Sequence, residues 1–243
     1  MKVLFKILCF LIFLAPVISN AQEKVTFYSI DSLEITADLY EIDKNYPYII
    51  LFHQVGGSRG EYNVLAKRLV KLGYNCLAVD LRNGEESNFV KNETAEKAKE
   101  KKVPCGLEDT QNDILAAIDY IFYKNYREVI LFGSSFSASL CLKTAKGNPK
   151  IKAVVAFSPG EFFLPDTEIK YEIKGLKKPV FVASSVKEYP YMLELFVNVS
   201  SEYKTIFKPM KGEGAYGTKS LTDECDSSDE YWLELLMFFR KLK

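Results

Sequence analysis

The sequence predicts an α/β domain, with a mostly parallel sheet of about eight strands, helices on both faces and an antiparallel hairpin at the N-terminal edge. Three observations carry that expectation. Short β-branched and aromatic runs alternate with longer amphipathic stretches, the first two runs are separated by little more than Asp31-Ser32, and no repeat, linker or low-complexity segment divides the chain.

The strands are expected at Val25–Ile30, Leu33–Tyr40, Tyr48–His53, Asn75–Asp80, Glu128–Phe132, Ala153–Phe157, Val180–Ala183 and Tyr203–Phe207. Helices are expected over Glu61–Leu72, Glu108–Tyr123, Phe136–Lys146, part of Tyr189–Val197, and Glu230–Leu242. In the second of these, along Asp113, Ile114, Leu115, Ala117, Ile118, Ile121 and Phe122, the apolar positions recur at three and four, a stripe that faces a sheet. Lys91–Lys102 is almost wholly polar and reads as a solvated helix or loop; its place after a strand also allows a flap beside a site.

Residues 1–21 have the composition of a signal peptide. Lys2 and Lys6 precede an apolar run from Ile7 to Val17, and Ser19-Asn20-Ala21 supplies small residues for cleavage. The expected organisation is therefore a signal peptide at 1–21 and one domain at 22–243, secreted or periplasmic, with no stable membrane insertion after cleavage. Basic and acidic residues balance at 32 each, so no cationic footprint points to nucleic acid. Of the cysteines outside the leader, Cys76 and Cys141 lie in apolar stretches, whereas Cys105 and Cys225 lie in polar ones and are the pair available for a disulfide. A single histidine and scattered cysteines make no metal-ligand cluster, and no cofactor is expected.

Two segments carry chemistry. The apolar run ending at Phe132 leads straight into Gly133-Ser134-Ser135-Phe136-Ser137-Ala138 and then a helix. That is a strand, a tight turn and a helix with Ser135 at the tip, close to G-x-S-x-G but with Ser137 in the last glycine's place. A sharp turn pushes a serine Oγ clear of the sheet, and the helix start offers N–H groups to an oxyanion. The second segment is the strand Tyr48–Phe52 followed by His53-Gln54-Val55-Gly56-Gly57, a glycine-rich turn that exposes backbone N–H groups where a second oxyanion donor is needed.

With both segments in view, the chain resembles the α/β-hydrolase superfamily, in particular its dienelactone-hydrolase-like members, over essentially all of residues 22–243. The resemblance implies Val55 and Phe136 as oxyanion donors, a structural role for the histidine at His53, and a triad in the order Ser, acid, His. Ser135 is the first member, and Glu188, after the strand Val180–Ala183, stands where the family carries its carboxylate. In the family's histidine turn, Lys211–Leu221, the slot before Gly217 and Thr218 holds Tyr216, and the only histidine in the chain is His53. A tyrosine at its ordinary pKa of about 10 is protonated and cannot take the serine proton, so the standard Ser-His-acid mechanism is excluded.

Three readings follow: a binding or structural module, an unusual base at Tyr216 or His53, or a different reaction at Ser135. The first is favoured, with a small acyl or ester-like molecule as ligand; an active serine esterase with a noncanonical base is the alternative. His53 and Gln54 at the turn, together with Arg59 and Arg82 after their strands, are candidate ligand-binding residues, the arginines for a carboxylate. G-x-G-x-x-G from Gly212 to Gly217 is not a dinucleotide fingerprint, because no βαβ unit follows it. Asn92 and Asn198 head N-glycosylation sequons.

Overall fold

The computed structural model describes residues 22–242; the expected signal peptide lies outside them. Strands β1 (Gln22–Tyr28), β2 (Glu34–Tyr40), β3 (Tyr48–Phe52) and β4 (Asn75–Val79) come first, with helix α1 (Asn63–Lys71) between β3 and β4. A small hairpin of β5 (Glu86–Ser87) and β6 (Val90–Lys91) precedes α2 (Glu93–Lys101) and α3 (Gln111–Asn125). Then follow β7 (Val129–Ser134), α4 (Phe136–Ala145), β8 (Ile151–Phe157), α5 (Ile169–Glu172), β9 (Val180–Ala183), α6 (Tyr189–Leu195), β10 (Lys204–Phe207) and α7 (Ser228–Lys241).

The main sheet has the order β1-β2-β4-β3-β7-β8-β9-β10. β1 and β2 pair antiparallel, β2 runs antiparallel to β4, and all pairs from β4 to β10 are parallel. This is an α/β-hydrolase fold with the expected hairpin at its edge.

Side chains alternate across each strand, and the two core clusters follow that alternation. Ile49 and Leu51 of β3 join Ile130 and Phe132 of β7 in one cluster with α1 and α7, whereas Ile50, Phe52 and Leu131 join the other with α3 and α4. β3, buried at every residue, is therefore a continuous apolar run, as a strand covered on both faces must be. On the α7 face, Phe132 stacks on Phe157 with centroids 5.2 Å apart, which fixes the ends of β7 and β8 relative to each other.

The structure corrects four expectations. Lys91–Lys102 is not a solvated element: α2 buries Thr94, Ala95 and Ala98 against the sheet, and Thr94 Oγ1 accepts from Thr36 N at 2.9 Å. Small residues rather than large apolar ones make that contact, so hydropathy misses it. Cys105 and Cys225 do not pair. Cys225 is buried in the cluster with α7, and Cys105 packs on the cluster across the sheet.

The two arginines expected to hold a ligand carboxylate are committed elsewhere. Arg82 is fully buried and grips Asp113 through Nε at 3.0 Å and Nη2 at 2.7 Å, with Asp31 at 2.7 Å from Nη1. Arg59, also buried, is shared among Asp38, Asp80 and Glu93. A guanidinium taken from water needs this much compensation, and none of it is spare for a ligand. Arg82→Met is expected to lower stability by about 3–5 kcal/mol by leaving Asp113 buried and unpaired, read as a lower urea midpoint.

Candidate active site

Ser135 follows the last residue of β7, between β3 and β8 at the carboxyl edge of the sheet. Its φ of 62° and ψ of −128° lie where a non-glycine residue is strained, and the strain is paid at about 1–3 kcal/mol. The turn is tight because β7 runs straight into α4. A Cβ on Gly133 would lie 2.6 Å from the backbone N of Ala138, so no side chain fits there. Ser137 bonds within the turn. Its Oγ accepts from Ser134 N at 3.0 Å and donates to Phe52 O at 2.7 Å, tying the elbow to β3. Ser135 N donates to Phe157 O at 2.8 Å, tying it to β8.

Ser135 Oγ lies 2.6 Å from the Tyr216 hydroxyl, its one side-chain partner among the described residues. Either hydroxyl can be the donor in this contact. Burial raises the Tyr216 pKa above the ordinary tyrosine value; the contact with Ser135 opposes the rise and the Glu188 carboxylate adds to it. At neutral pH the group beside Ser135 is therefore a protonated phenol, which cannot take up the serine proton.

The loop that delivers Tyr216 is held from below. Gly217 N donates to Ser158 Oγ at 2.9 Å, and Thr218 N donates to Ser134 Oγ at 3.3 Å. Gly217 has φ +59°, and a Cβ there would sit 2.6 Å from Ser134 Oγ, so glycine is required on both counts. Glu188, the expected acid, does not bond to Tyr216. Its Oε2 accepts from Ser158 Oγ at 3.1 Å, from Ser185 N at 3.0 Å and from Ser185 Oγ at 2.7 Å. It reaches the Tyr216 loop through Ser158.

His53 is sealed in. It is fully buried, its Nδ1 donates to Gln54 O at 2.7 Å, and its Nε2 accepts from Leu81 N at 2.9 Å with the Asn92 amide 3.2 Å away. Both ring nitrogens are spent on backbone, so His53 neither contacts a ligand nor serves Ser135 as a base. Asn92 in turn is 1% exposed, with its amide on Gly57 O and Leu81 O and its Oδ1 capping α2, which removes it from the reach of glycosylation in the folded chain. The N–H groups of Val55 and Phe136 have no protein acceptor among the described residues, and Gln54, half-buried, directly precedes Val55 at the turn.

Sequence reasoning missed Glu61, Ser134 and Ser158. Glu61 Oε2 accepts from Gln54 N at 3.1 Å and its Oε1 from the Thr218 hydroxyl, a contact between residues far apart in the chain that no local pattern announces. Burial pushes the Glu61 carboxyl above the ordinary carboxylate range, against the bonds it accepts. Among the described residues no group of three or more His, Cys, Asp or Glu is disposed to hold a metal, and no helix is long and apolar enough to cross a membrane.

The histidine environment has a consequence for acid stability. Burial depresses the His53 pKa from 6.5 to about 4, so the unfolded chain binds the proton first as pH falls. Its contribution is complete above pH 6.5 and is lost progressively down to about pH 4, roughly 3 kcal/mol in all. His53→Asn is expected to flatten this part of the stability profile. Because His53 is the sole imidazole, its NMR signals should report one neutral Nδ1–H tautomer at pH 7 and give way to the imidazolium only as the pH approaches about 4.

Similar architecture occurs in solved structures. An esterase of Pyrococcus furiosus superposes with a TM-score of 0.69 at 16% identity, over 92% of this chain and 93% of that one. A protein described as a dienelactone hydrolase from Klebsiella pneumoniae gives 0.63 at 18% identity, over 91% and 99%. A dienelactone-hydrolase-like promiscuous phosphotriesterase from metagenomic libraries gives 0.65 at 17%, over 91% and 98%. No curated protein matches the chain. Residues 35–189, from the second strand to the start of α6, match the model of one family, and with the elbow at Ser135 and the glycine-rich turn at Val55 inside that span, the chain belongs to the dienelactone hydrolase family.

Proposed function

We propose that this protein is an exported member of its family that binds a small acyl or ester-like molecule at Ser135 and does not turn it over. The observation that carries this reading is the 2.6 Å contact between Ser135 Oγ and the Tyr216 hydroxyl, in the position where a base must stand. With its pKa raised by burial, the phenol is protonated at neutral pH and cannot take up the Ser135 proton. The rest of the apparatus is kept: the strained elbow, the two unengaged N–H groups and the acid that braces the loop. Such a site recognises a carbonyl oxygen but lacks the step that breaks the bond.

The alternative, an active esterase working through a noncanonical base, draws on the retained strain at Ser135. A fluorophosphonate followed by intact-mass analysis separates the two. On the proposed reading the wild type stays unlabelled on the timescale that labels an ordinary serine esterase; prompt labelling that disappears in Ser135→Ala would establish the alternative. Tyr216→His is expected to raise hydrolysis of a p-nitrophenyl ester by about 10²–10⁴-fold, the usual worth of a positioned base. Hydrolysis unchanged in that variant would count against the assignment of position 216 as the vacated base slot.

A further inference from the structure

We infer that Glu61 is the positioning residue that holds Tyr216 over Ser135, by joining the oxyanion turn and the Tyr216 loop through one partly buried carboxyl group. Its Oε2 accepts from Gln54 N, next to the Val55 donor, at 3.1 Å; its Oε1 accepts from the Thr218 hydroxyl, two residues past Tyr216. Thr218 N completes the triangle at Ser134 Oγ, 3.3 Å away and one residue before the nucleophile. The oxyanion turn and the Tyr216 loop therefore meet on one side chain, and the Tyr216 loop bonds in turn to the end of β7.

The surroundings set Glu61 apart from the other inward-facing carboxylates. Asp113 and Asp80 face arginines, and Glu188 faces the hydroxyl and backbone N–H groups of Ser158 and Ser185. Among the described residues Glu61 has no cationic partner. The groups near it are Gln54, Thr218, Ser134 and Tyr62, together with His53, which is neutral. Drawing a carboxyl group partly out of water without a cation is costly, and a position that served packing alone would be better filled by an apolar residue. What Glu61 supplies is two directed acceptors, one per loop, spaced by a rigid planar group.

The link also explains why the cap is held in place although the Tyr216 side chain is 44% exposed. Little apolar packing presses the ring onto Ser135, so its position depends on the backbone on either side. On the C-terminal side that backbone is fixed through Gly217 N on Ser158 and Thr218 on Glu61.

The test is to cut the Thr218 arm alone and watch Tyr216 directly. In protein carrying 13Cζ-tyrosine, the Tyr216 resonance is assigned by its loss in Tyr216→Phe and followed through an alkaline titration. In the wild type it should titrate above the ordinary value near 10. In Thr218→Val, which keeps shape but loses the hydroxyl, the midpoint is expected to move down towards that value, and Thr218→Ser is expected to restore it. Glu61→Ala should give the same shift and also move the Gln54 amide resonance. Glu61→Gln should hold the wild-type midpoint, since Thr218 can turn to accept from the amide. The double variant Glu61→Ala with Thr218→Val should shift Tyr216 no further than Glu61→Ala alone, because both cut one link. Should valine fail to pack, Thr218→Ala makes the same cut. A wild-type midpoint in the valine or alanine variant, or no recovery with serine, overturns the inference. Labelling of wild-type Ser135 by a fluorophosphonate would overturn the non-catalytic reading and leave this linkage standing.

Discussion

A serine held at positive φ where β7 meets α4 is the constraint around which this protein is organised. An L-residue adopts that conformation only when its surroundings overdetermine it. Here they do: Gly133 lets α4 close on β7, Ser137 bonds to β3, and Ser135 N bonds to β8. The neighbouring strands are themselves locked by apolar clusters on both faces of the sheet, so the elbow draws its rigidity from the whole domain. A strained turn on a lone hairpin would relax.

Around that point the protein uses polar groups as braces. Asp113 and Asp80 receive arginines, Glu188 receives Ser158 and Ser185, and Glu61 receives Gln54 and Thr218. Even the lone histidine is spent in this way, with one ring nitrogen on Gln54 O and the other on Leu81 N. The result is a site rich in ionisable residue types yet poor in proton acceptors facing the nucleophile. What faces Ser135 is a phenol, and burial makes that phenol harder to ionise. Family membership does not by itself decide turnover: the family is a matter of fold and loop geometry, while attack by Ser135 would require a group able to take its proton.

Much of this was legible before any coordinates. Strand and helix periods, the strand-turn-helix around Ser135 and the glycine-rich turn after β3 are local signals, since each follows from what neighbouring residues can do with one backbone. Tyr216 was legible through the resemblance, because the family's histidine turn puts it before Gly217 and Thr218 and the chain's single histidine lies elsewhere. Arg59 and Arg82 were misread for the opposite reason. Their positions after strands at the active edge were right, but whether a guanidinium points to ligand or to buried carboxylates depends on Asp38, Asp31 and Asp113, which come from distant segments. The polar helix α2 was misread because alanine and threonine, not large apolar residues, form its buried side.

By itself, then, the sequence determined the layered α/β architecture, the strand-turn-helix that carries Ser135 and the limit of one imidazole in the chain, since these rest on local patterning and on composition. The tertiary structure decided which carboxylates brace which loops, that His53 is closed off, and that the Tyr216 hydroxyl touches Ser135 Oγ. Those are contacts between residues tens of positions apart, 81 in the case of Ser135 and Tyr216, and only the packed sheet brings them within a hydrogen bond.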